Sequence, residues 1–150
     1  MKKIVALVGE GDTGKSTVMR QCFDTLVKEM ASADIVFQLS TEHPRAYKEV
    51  FVAITVKEKT VVINSLGDTG TLVQNGIDMA EAAHADMLVA ATRPQRVNRG
   101  PYHTLRTYGA RKGTIFEEIK RDSLKSNRND ENDCAVLLKH IRDFLGYAKP

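Results

Sequence analysis

Eight residues near the N-terminus combine glycines, a lysine and a hydroxyl at a spacing suited to binding a dense anion. They read Gly9-Glu10-Gly11-Asp12-Thr13-Gly14-Lys15-Ser16 and match the pattern G-x-x-x-x-G-K-[ST] at every fixed position. Glycines let successive backbone N–H groups approach phosphate oxygens, because no Cβ stands in the way. Lys15 adds a mobile positive charge, and the Ser16 hydroxyl is placed to ligate Mg²⁺. The segment, called the phosphate loop below, therefore predicts a polyphosphate site.

The residues expected to hold the polyphosphate form one continuous stretch around this loop. They are Gly9, Gly11, Asp12, Thr13, Gly14, Lys15, Ser16 and Thr17. Glu10 and Asp12 are unusual beside an anion, because like charges repel. Their side chains must point outward, or a cation must offset them.

The elements around the loop are those that this chemistry needs. Residues 4–8 are a short apolar run, typical of a buried strand. Apolar residues at helical spacing then predict a helix from about residue 15 to residue 30. The start of such a helix adds unsatisfied N–H donors and the positive end of its dipole. The motif lies between a predicted strand and a predicted helix. This context makes it much more specific than the residue pattern alone.

Through this motif, the Walker A motif, the chain resembles the P-loop NTPase superfamily, and the likeness in order of elements covers about the first 92 residues. The resemblance implies a nucleotide-binding domain that uses Mg²⁺, with Lys15 as a catalytic residue. Ras-type GTPases also need N-K-x-D after a later strand, but after residues 87–91 this chain reads Thr92-Arg93-Pro94-Gln95. The missing guanine-reading Asp and the general abundance of ATP sites favour ATP as the nucleotide.

Such proteins need a second carboxylate for the Mg²⁺ shell or the attacking water, usually an Asp that ends an apolar strand. Here the apolar run 61–63 ends in Asn64, and Asp68 follows four residues later. Asn64 could contact the metal through water, or Asp68 could swing back and supply the carboxylate. We favour Asp68, since this strand otherwise offers no anion. In the alternative, Asp68 only caps a helix beginning near Thr71.

Two subfamilies share further features with the chain. Residues 85–94 resemble the A-D-x-x-h-V-x-x-x-P region of ParA-type partition ATPases, but Glu10 stands where those ATPases carry an extra Lys, so their mechanism is not implied. Small P-loop kinases carry an arginine-rich lid, and here Arg93, Arg96, Arg99 and Arg106 follow the fourth core strand. The acceptor of such a kinase would bind near residues 40–45.

The segment 93–112 is strongly basic, with five Arg, one Lys and no acidic residue. Such a block suits a phosphate-bearing, nucleic acid or protein partner, although many charge runs are only solvated loops. Tyr102, His103 and Tyr108 are interleaved with the arginines, which would permit base stacking on a nucleic acid. In a hydrolase, Arg93 or Arg96 would instead stabilise transition-state charge.

Strands and helices alternate along the 150 residues. This order predicts one α/β domain: a three-layer, doubly wound, mostly parallel sheet with helices on both faces. An antiparallel edge hairpin is expected at about residues 50–64. Residues 116–119 suggest a short helix, and a longer amphipathic helix is expected near the C-terminus. The length fits a single domain.

Cysteine usage and hydropathy give an expected location. Cys22 and Cys134 form no ligand motif, and no apolar run approaches the ~20 residues that a membrane helix needs. We therefore expect a cytoplasmic protein without membrane contact, and oligomerisation stays open. Three functions remain: an ATP hydrolase coupled to a partner, which we favour, a small-molecule or nucleotide kinase, and a nucleotide-dependent switch.

Overall fold

The described residues form a six-stranded sheet, seen in a computed structural model that describes residues 1–11, 13–29, 34–38 and 49–146. For residues 34–38 only the backbone is described. The strands are β1 (Lys3–Val8), β2 (Asp34–Gln38), β3 (Phe51–Val56), β4 (Lys59–Asn64), β5 (Met87–Thr92) and β6 (Ile115–Lys120). Their order across the sheet is β2-β3-β4-β5-β1-β6.

Helices cover both faces of this sheet. In the described part of the chain they are α1 (Lys15–Glu29), α2 (Gly70–Ala82), α3 (Gly100–Lys112) and α4 (Asp130–Leu145). Side chains alternate along each strand, so β1 sends Val5 and Leu7 towards α1 and α4 and sends Ile4 and Ala6 towards α2 and α3. The predicted α/β architecture with helices on both faces is therefore confirmed.

The strand directions agree with the predicted mostly parallel sheet. β1 runs parallel to β5 and β6, and β4 runs parallel to β5. The predicted hairpin is β3 and β4, which are antiparallel. It does not form the edge of the sheet, because β2 pairs antiparallel to β3 on its outer side.

The C-terminal half differs from the sequence prediction at one element. Residues 116–119, predicted as a short helix, belong to strand β6, which pairs parallel with β1. Phe116 and Ile119 are three residues apart, a spacing that imitates a helical face. Because β6 is an outer strand, its Glu117 and Glu118 can remain near solvent, and the alternation typical of a strand is obscured.

The strand order decides which loops meet at the phosphate loop. β5 lies between β1 and β4, so Thr92, rather than Asn64, is the neighbour of Val8. The Gly9 N–H donates to the Thr92 carbonyl at 3.0 Å, and the Arg121 N–H donates to the Val8 carbonyl at 2.7 Å. The carboxyl ends of β1, β5 and β6 are thereby joined at the base of the loop.

A helix that crosses a bilayer must be both long and apolar. In the described ranges, no helix combines the length and the apolar character needed to cross a membrane. The helices instead place their apolar faces against the sheet.

Candidate functional site

The phosphate loop forms the turn between β1 and α1, where the sequence predicts it. Gly14 has a φ of +78°, in the left-handed region that glycine enters without steric cost. α1 begins at the next residue, and the Val18 N–H donates to the Gly14 carbonyl at 3.0 Å. The first N–H groups of α1 lack intrahelical acceptors, so they are available to an anion.

Lys15 is almost completely buried, with 7% of its surface exposed. Its ammonium donates to the carbonyl oxygens of Gly9 at 2.6 Å and Glu10 at 2.9 Å. The Thr13 hydroxyl donates to the Glu10 carbonyl as well, at 2.7 Å. A buried charge needs such acceptors, and here the loop itself supplies them. The positive charge is thus held beside the backbone that would surround a phosphate.

A cleft of about 660 Å³ opens beside the loop. This volume lies within the range usual for small-molecule sites. Its walls come from the loop, the first turn of α1, the segment before β3 and the segments after β4 and β5: Glu10, Gly11, Thr13, Gly14, Lys15, Ser16, Thr17, Glu49, Ser65, Leu66, Asp68 and Arg93. Most of the predicted phosphate-binding residues are therefore brought together, whereas Asp12 lies outside the described residues.

The negative charge of Glu10 is offset by two arginines. Arg96 Nη2 lies 3.2 Å from Glu10 Oε1, and Arg93 Nη1 lies 4.0 Å from Glu10 Oε2. Arg93 Nε also donates to Asp68 Oδ1 at 3.1 Å. Three of the residues predicted to be catalytic, Asp68, Arg93 and Arg96, thus meet at the mouth of the cleft.

Arg93 packs directly over the phosphate loop. A Cβ atom added to Gly11 would lie 2.8 Å from its Nη1, closer than real Cβ contacts come. The absence of a side chain at Gly11 therefore leaves room for the Arg93 guanidinium. The position of Arg93 follows from the sheet order, because it comes directly after β5 and β5 adjoins β1.

Asn64 does not face the cleft, contrary to the prediction that it could contact the metal. It is fully buried, its Nδ2 donates to the Leu72 carbonyl at 3.2 Å, and its Oδ1 accepts from the Leu66 N–H at 2.9 Å. A Cβ on Gly76 of α2 would lie 2.4 Å from Asn64 Nδ2. The reason is the strand alternation, since Asn64 lies on the same face of β4 as Val62, which packs towards α2 and α3.

Asp68 lines the cleft and is not the cap of α2. Thr69 is the N-cap residue, and its hydroxyl accepts from the Leu72 N–H at 3.2 Å. The Asp68 carboxylate instead lies against Arg93. Its assignment as the functional acid stays a prediction.

Glu49 is a cleft residue that no sequence motif indicated. It precedes β3, and both of its carboxylate oxygens lie 3.1 Å from the Ser16 hydroxyl, which donates to them. Ser65, directly after β4, donates to Glu49 Oε2 at 2.6 Å. Glu49 and Ser16 are 33 residues apart in sequence, so only the folded sheet brings them together.

Arg121, directly after β6, is the second functional candidate that the sequence did not indicate. Its side chain is buried behind the loop, where Nε donates to the Thr13 carbonyl at 2.9 Å. Its guanidinium forms ion pairs with Asp130 and Asp133 at the start of α4. Gly9 allows this approach, since a Cβ there would lie 3.0 Å from Arg121 Cβ. Arg121 therefore couples the phosphate loop to α4.

Part of the basic segment 93–112 packs against the rest of the fold, while Arg96, Arg99 and Arg111 are exposed. Residues 100–112 form α3, and Arg106 stacks over the Phe116 ring at 4.5 Å. Tyr108 is buried and its hydroxyl donates to Glu81; burial and this carboxylate raise the pKa of Tyr108. Tyr102 meets Phe116 edge to face. These contacts occupy the two tyrosines that could have stacked on bases.

The donor set of the cleft is compatible with Mg²⁺ bound together with a polyphosphate. In the described ranges, no three His, Cys, Asp or Glu side chains are placed so that together they could hold a metal ion. A metal here would therefore take its ligands from a hydroxyl, a carboxylate, phosphate oxygens and water. Those are the hard oxygen ligands that Mg²⁺ prefers, and its sites usually contain only one or two carboxylates.

No protein-family model, curated protein or solved structure matches the chain. The resemblance to P-loop NTPases therefore stays a prediction from the sequence motif.

Proposed function

We propose that the protein binds ATP with Mg²⁺ at the phosphate loop and hydrolyses it, as a P-loop NTPase whose cycle is coupled to a partner. The observation that carries this proposal is the loop itself. It joins a buried strand to a helix N-terminus and keeps the charge of Lys15 beside a cleft of about 660 Å³. Backbone N–H groups, a helix dipole and an ammonium acting together favour a polyphosphate.

Lys15 is expected to exchange its carbonyl partners for phosphate oxygens. Its flexible side chain can turn from the Gly9 and Glu10 carbonyls into the cleft without moving the backbone. Mg²⁺ would bind beside Ser16 and offset charge on the phosphates. Arg93, already over Gly11, would offer its planar donors to the charge that develops during phosphoryl transfer.

The proposal is tested by phosphate release from ATP and Mg²⁺, comparing the wild type with Lys15→Ala. Removing a preorganised charged donor from a transition state costs roughly 3 kcal/mol, so turnover should fall about 10²- to 10³-fold. Lys28→Ala is the matched control, because Lys28 is exposed in the last turn of the same helix. Unchanged turnover and ATP affinity in Lys15→Ala would contradict the proposal.

A kinase remains the second candidate, favoured by the two arginines at the mouth of the cleft. Arg93 and Arg96 could close over a transferring phosphoryl group, whereas Arg106 stacks on Phe116 within the α3 packing. Residues 40–45, the predicted acceptor site, lie outside the described residues. With γ-labelled ATP, label on an added acceptor would indicate a kinase, and label in free phosphate would indicate a hydrolase.

A nucleotide-dependent switch is the remaining alternative. It would show negligible turnover but nucleotide-dependent, salt-sensitive binding to a nucleic acid or protein through residues 93–112. A cytoplasmic location belongs to the same proposal, and the two cysteines, Cys22 and Cys134, are free thiols in the structure. Sedimentation with and without ATP would show whether the active form is an oligomer.

A further inference from the structure

Among the described residues, three carboxylates line the cleft, and one of them differs from the others in its partners. Glu10 forms ion pairs with Arg93 and Arg96, and Asp68 forms one with Arg93. In the described part of the chain, the partners of the Glu49 carboxylate are two hydroxyl groups, those of Ser16 and Ser65. No described arginine pairs with Glu49, in contrast to Glu10 and Asp68.

Hydrogen bonds fix the position of Glu49. The Ser65 hydroxyl accepts from the Val50 N–H at 2.7 Å, so its own proton is free to be donated to Glu49 Oε2 at 2.6 Å. The Ser65 N–H in turn donates to the Val50 carbonyl at 2.7 Å. The residue before β3 and the residue after β4 are thereby locked together. The carboxylate is held at the first turn of α1 by backbone geometry rather than by a mobile loop tip.

The spacing of the oxygens matches that of a pair of metal ligands. Two oxygens bound cis in an octahedral Mg²⁺ site, each about 2.1 Å from the metal, lie about 3.0 Å apart. The Ser16 hydroxyl oxygen lies 3.1 Å from each carboxylate oxygen of Glu49. A hydroxyl and a carboxylate at this separation form a hard oxygen pair open to a divalent cation.

Charge gives a second reason for a cation at this place. A carboxylate that no described arginine pairs with would repel a triphosphate beside it, and a divalent ion between them turns the repulsion into attraction. Asn64 is turned into the helix layer and Asp68 lies against Arg93, so neither supplies this arrangement. Glu49 is the carboxylate that directly contacts the predicted metal ligand Ser16.

We propose that Glu49 and Ser16 are the protein ligands of the Mg²⁺ bound with the nucleotide, and that Glu49 supplies the acidic group that strand β4 lacks. This rests on the proposed function, because the metal would arrive with the triphosphate. Glu49 would reach the metal from the segment before β3, which Ser65 after β4 holds in place. Glu49 is therefore expected to account for much of the increase in ATP affinity that Mg²⁺ produces.

Calorimetry of ATP binding tests this, once with EDTA and once with Mg²⁺, in the wild type and Glu49→Gln. Gln keeps the shape and can still accept from both serines. Without metal, Glu49→Gln should bind ATP as tightly as the wild type or more tightly, because a negative charge is gone. The gain in affinity on adding Mg²⁺ should shrink by at least about tenfold. Glu58→Gln, an identical change in the exposed β3–β4 turn at the opposite end of the strands, should keep the full gain.

A second variant distinguishes the loss of a metal ligand from a folding defect. Glu49→Asp keeps the negative charge, but its side chain is one methylene shorter, so the carboxylate lies farther from the metal. It should also reduce the gain in ATP affinity on adding Mg²⁺, while the circular dichroism spectrum stays that of the wild type. Full Mg²⁺ gain in both Glu49 variants would overturn the metal role and leave the ATP site intact. Loss of the gain in Asp68→Asn, with retention in Glu49→Gln, would return the role to Asp68. A wild type that binds ATP under neither condition would overturn the proposed function, and the metal role with it.

Discussion

At the scale of single residues, a buried arginine supports the phosphate loop from behind. Arg121 reaches the Thr13 carbonyl and two aspartates of α4, with only 2% of its side chain exposed. A buried charge of this kind is tolerated because each of its three guanidinium nitrogens donates to an acceptor. The loop geometry is thus set both by its glycines and by a residue more than a hundred positions away.

Arg121→Ala should therefore destabilise the protein and weaken the proposed ATP site together. Removing one partner of a buried ion pair costs about 3–5 kcal/mol, and here Asp133 would lose its guanidinium partner and Thr13 a donor. Urea denaturation measures the loss of unfolding free energy. Lys120→Ala, at the exposed neighbouring position, should change it by less than about 0.5 kcal/mol. Equal stability of Arg121→Ala and the wild type would contradict this account.

At the scale of elements, the C-terminal helix is attached to the sheet through a histidine. On α4, His140 Nδ1 accepts a hydrogen bond from the Lys3 ammonium of β1 at 3.1 Å, and His140 Nε2 lies 3.7 Å from Glu117 of β6. The ammonium can only donate, so the neutral ring must accept there. Burial, and then the charge of Lys3, lower the pKa of His140, although Glu117 and Asp143 act in the opposite direction.

This lowered pKa predicts a loss of stability in mild acid. His140 binds a proton more readily in the unfolded chain than in the folded protein. Its contribution to the unfolding free energy is therefore complete above the ordinary histidine pKa of about 6.5 and declines as the pH falls below that value. Between pH 7.5 and pH 5.5, the wild type should lose more unfolding free energy than His140→Gln. His103→Gln, on the exposed face of α3, should behave as the wild type. Equal losses in the wild type and His140→Gln would rule out this contribution.

At the scale of the whole molecule, the strand order brings the functional segments to one end of the sheet. β5 separates β1 from β4, so the segments after these three strands surround the same cleft. Gly67 permits the close approach of two of them, because a Cβ there would lie 1.8 Å from the Ala91 carbonyl oxygen. A ligand in the cleft would contact segments from across the fold and should stabilise the fold as a unit.

Thermal unfolding with ATP and Mg²⁺ should show this coupling. A ligand at a hundredfold excess over its Kd stabilises the native state by about 2.7 kcal/mol. For a chain of this size the Tm should rise by roughly 5–10 °C. Lys15→Ala should show almost none of this shift under the same conditions. A wild-type Tm that does not respond to millimolar ATP with Mg²⁺ would argue against the nucleotide site.

Much of the fold could be predicted because its signals are local. The apolar runs of β1, β4 and β5 and the alternation in β3 mark buried strands whatever their neighbours are. β6 was mistaken for a helix because only Ile119 is well buried in it, which leaves too little pattern to distinguish the two periods. An outer strand takes its conformation from pairing with β1, and that pairing is not a local property.

The candidate site also has a part that local sequence predicts and a part that depends on contacts between distant residues. The phosphate loop could be predicted from the sequence because its glycines, lysine and serine are close together in the chain. They act through the adjacent backbone and the start of one helix, so no distant segment is needed to bring them together. Tertiary structure alone decided that Asn64 turns away, that Glu49 meets Ser16 across 33 positions and that Arg121 meets Thr13 across 108. Those contacts depend on which strands are neighbours and which face each side chain takes, and both are settled only when the whole sheet packs.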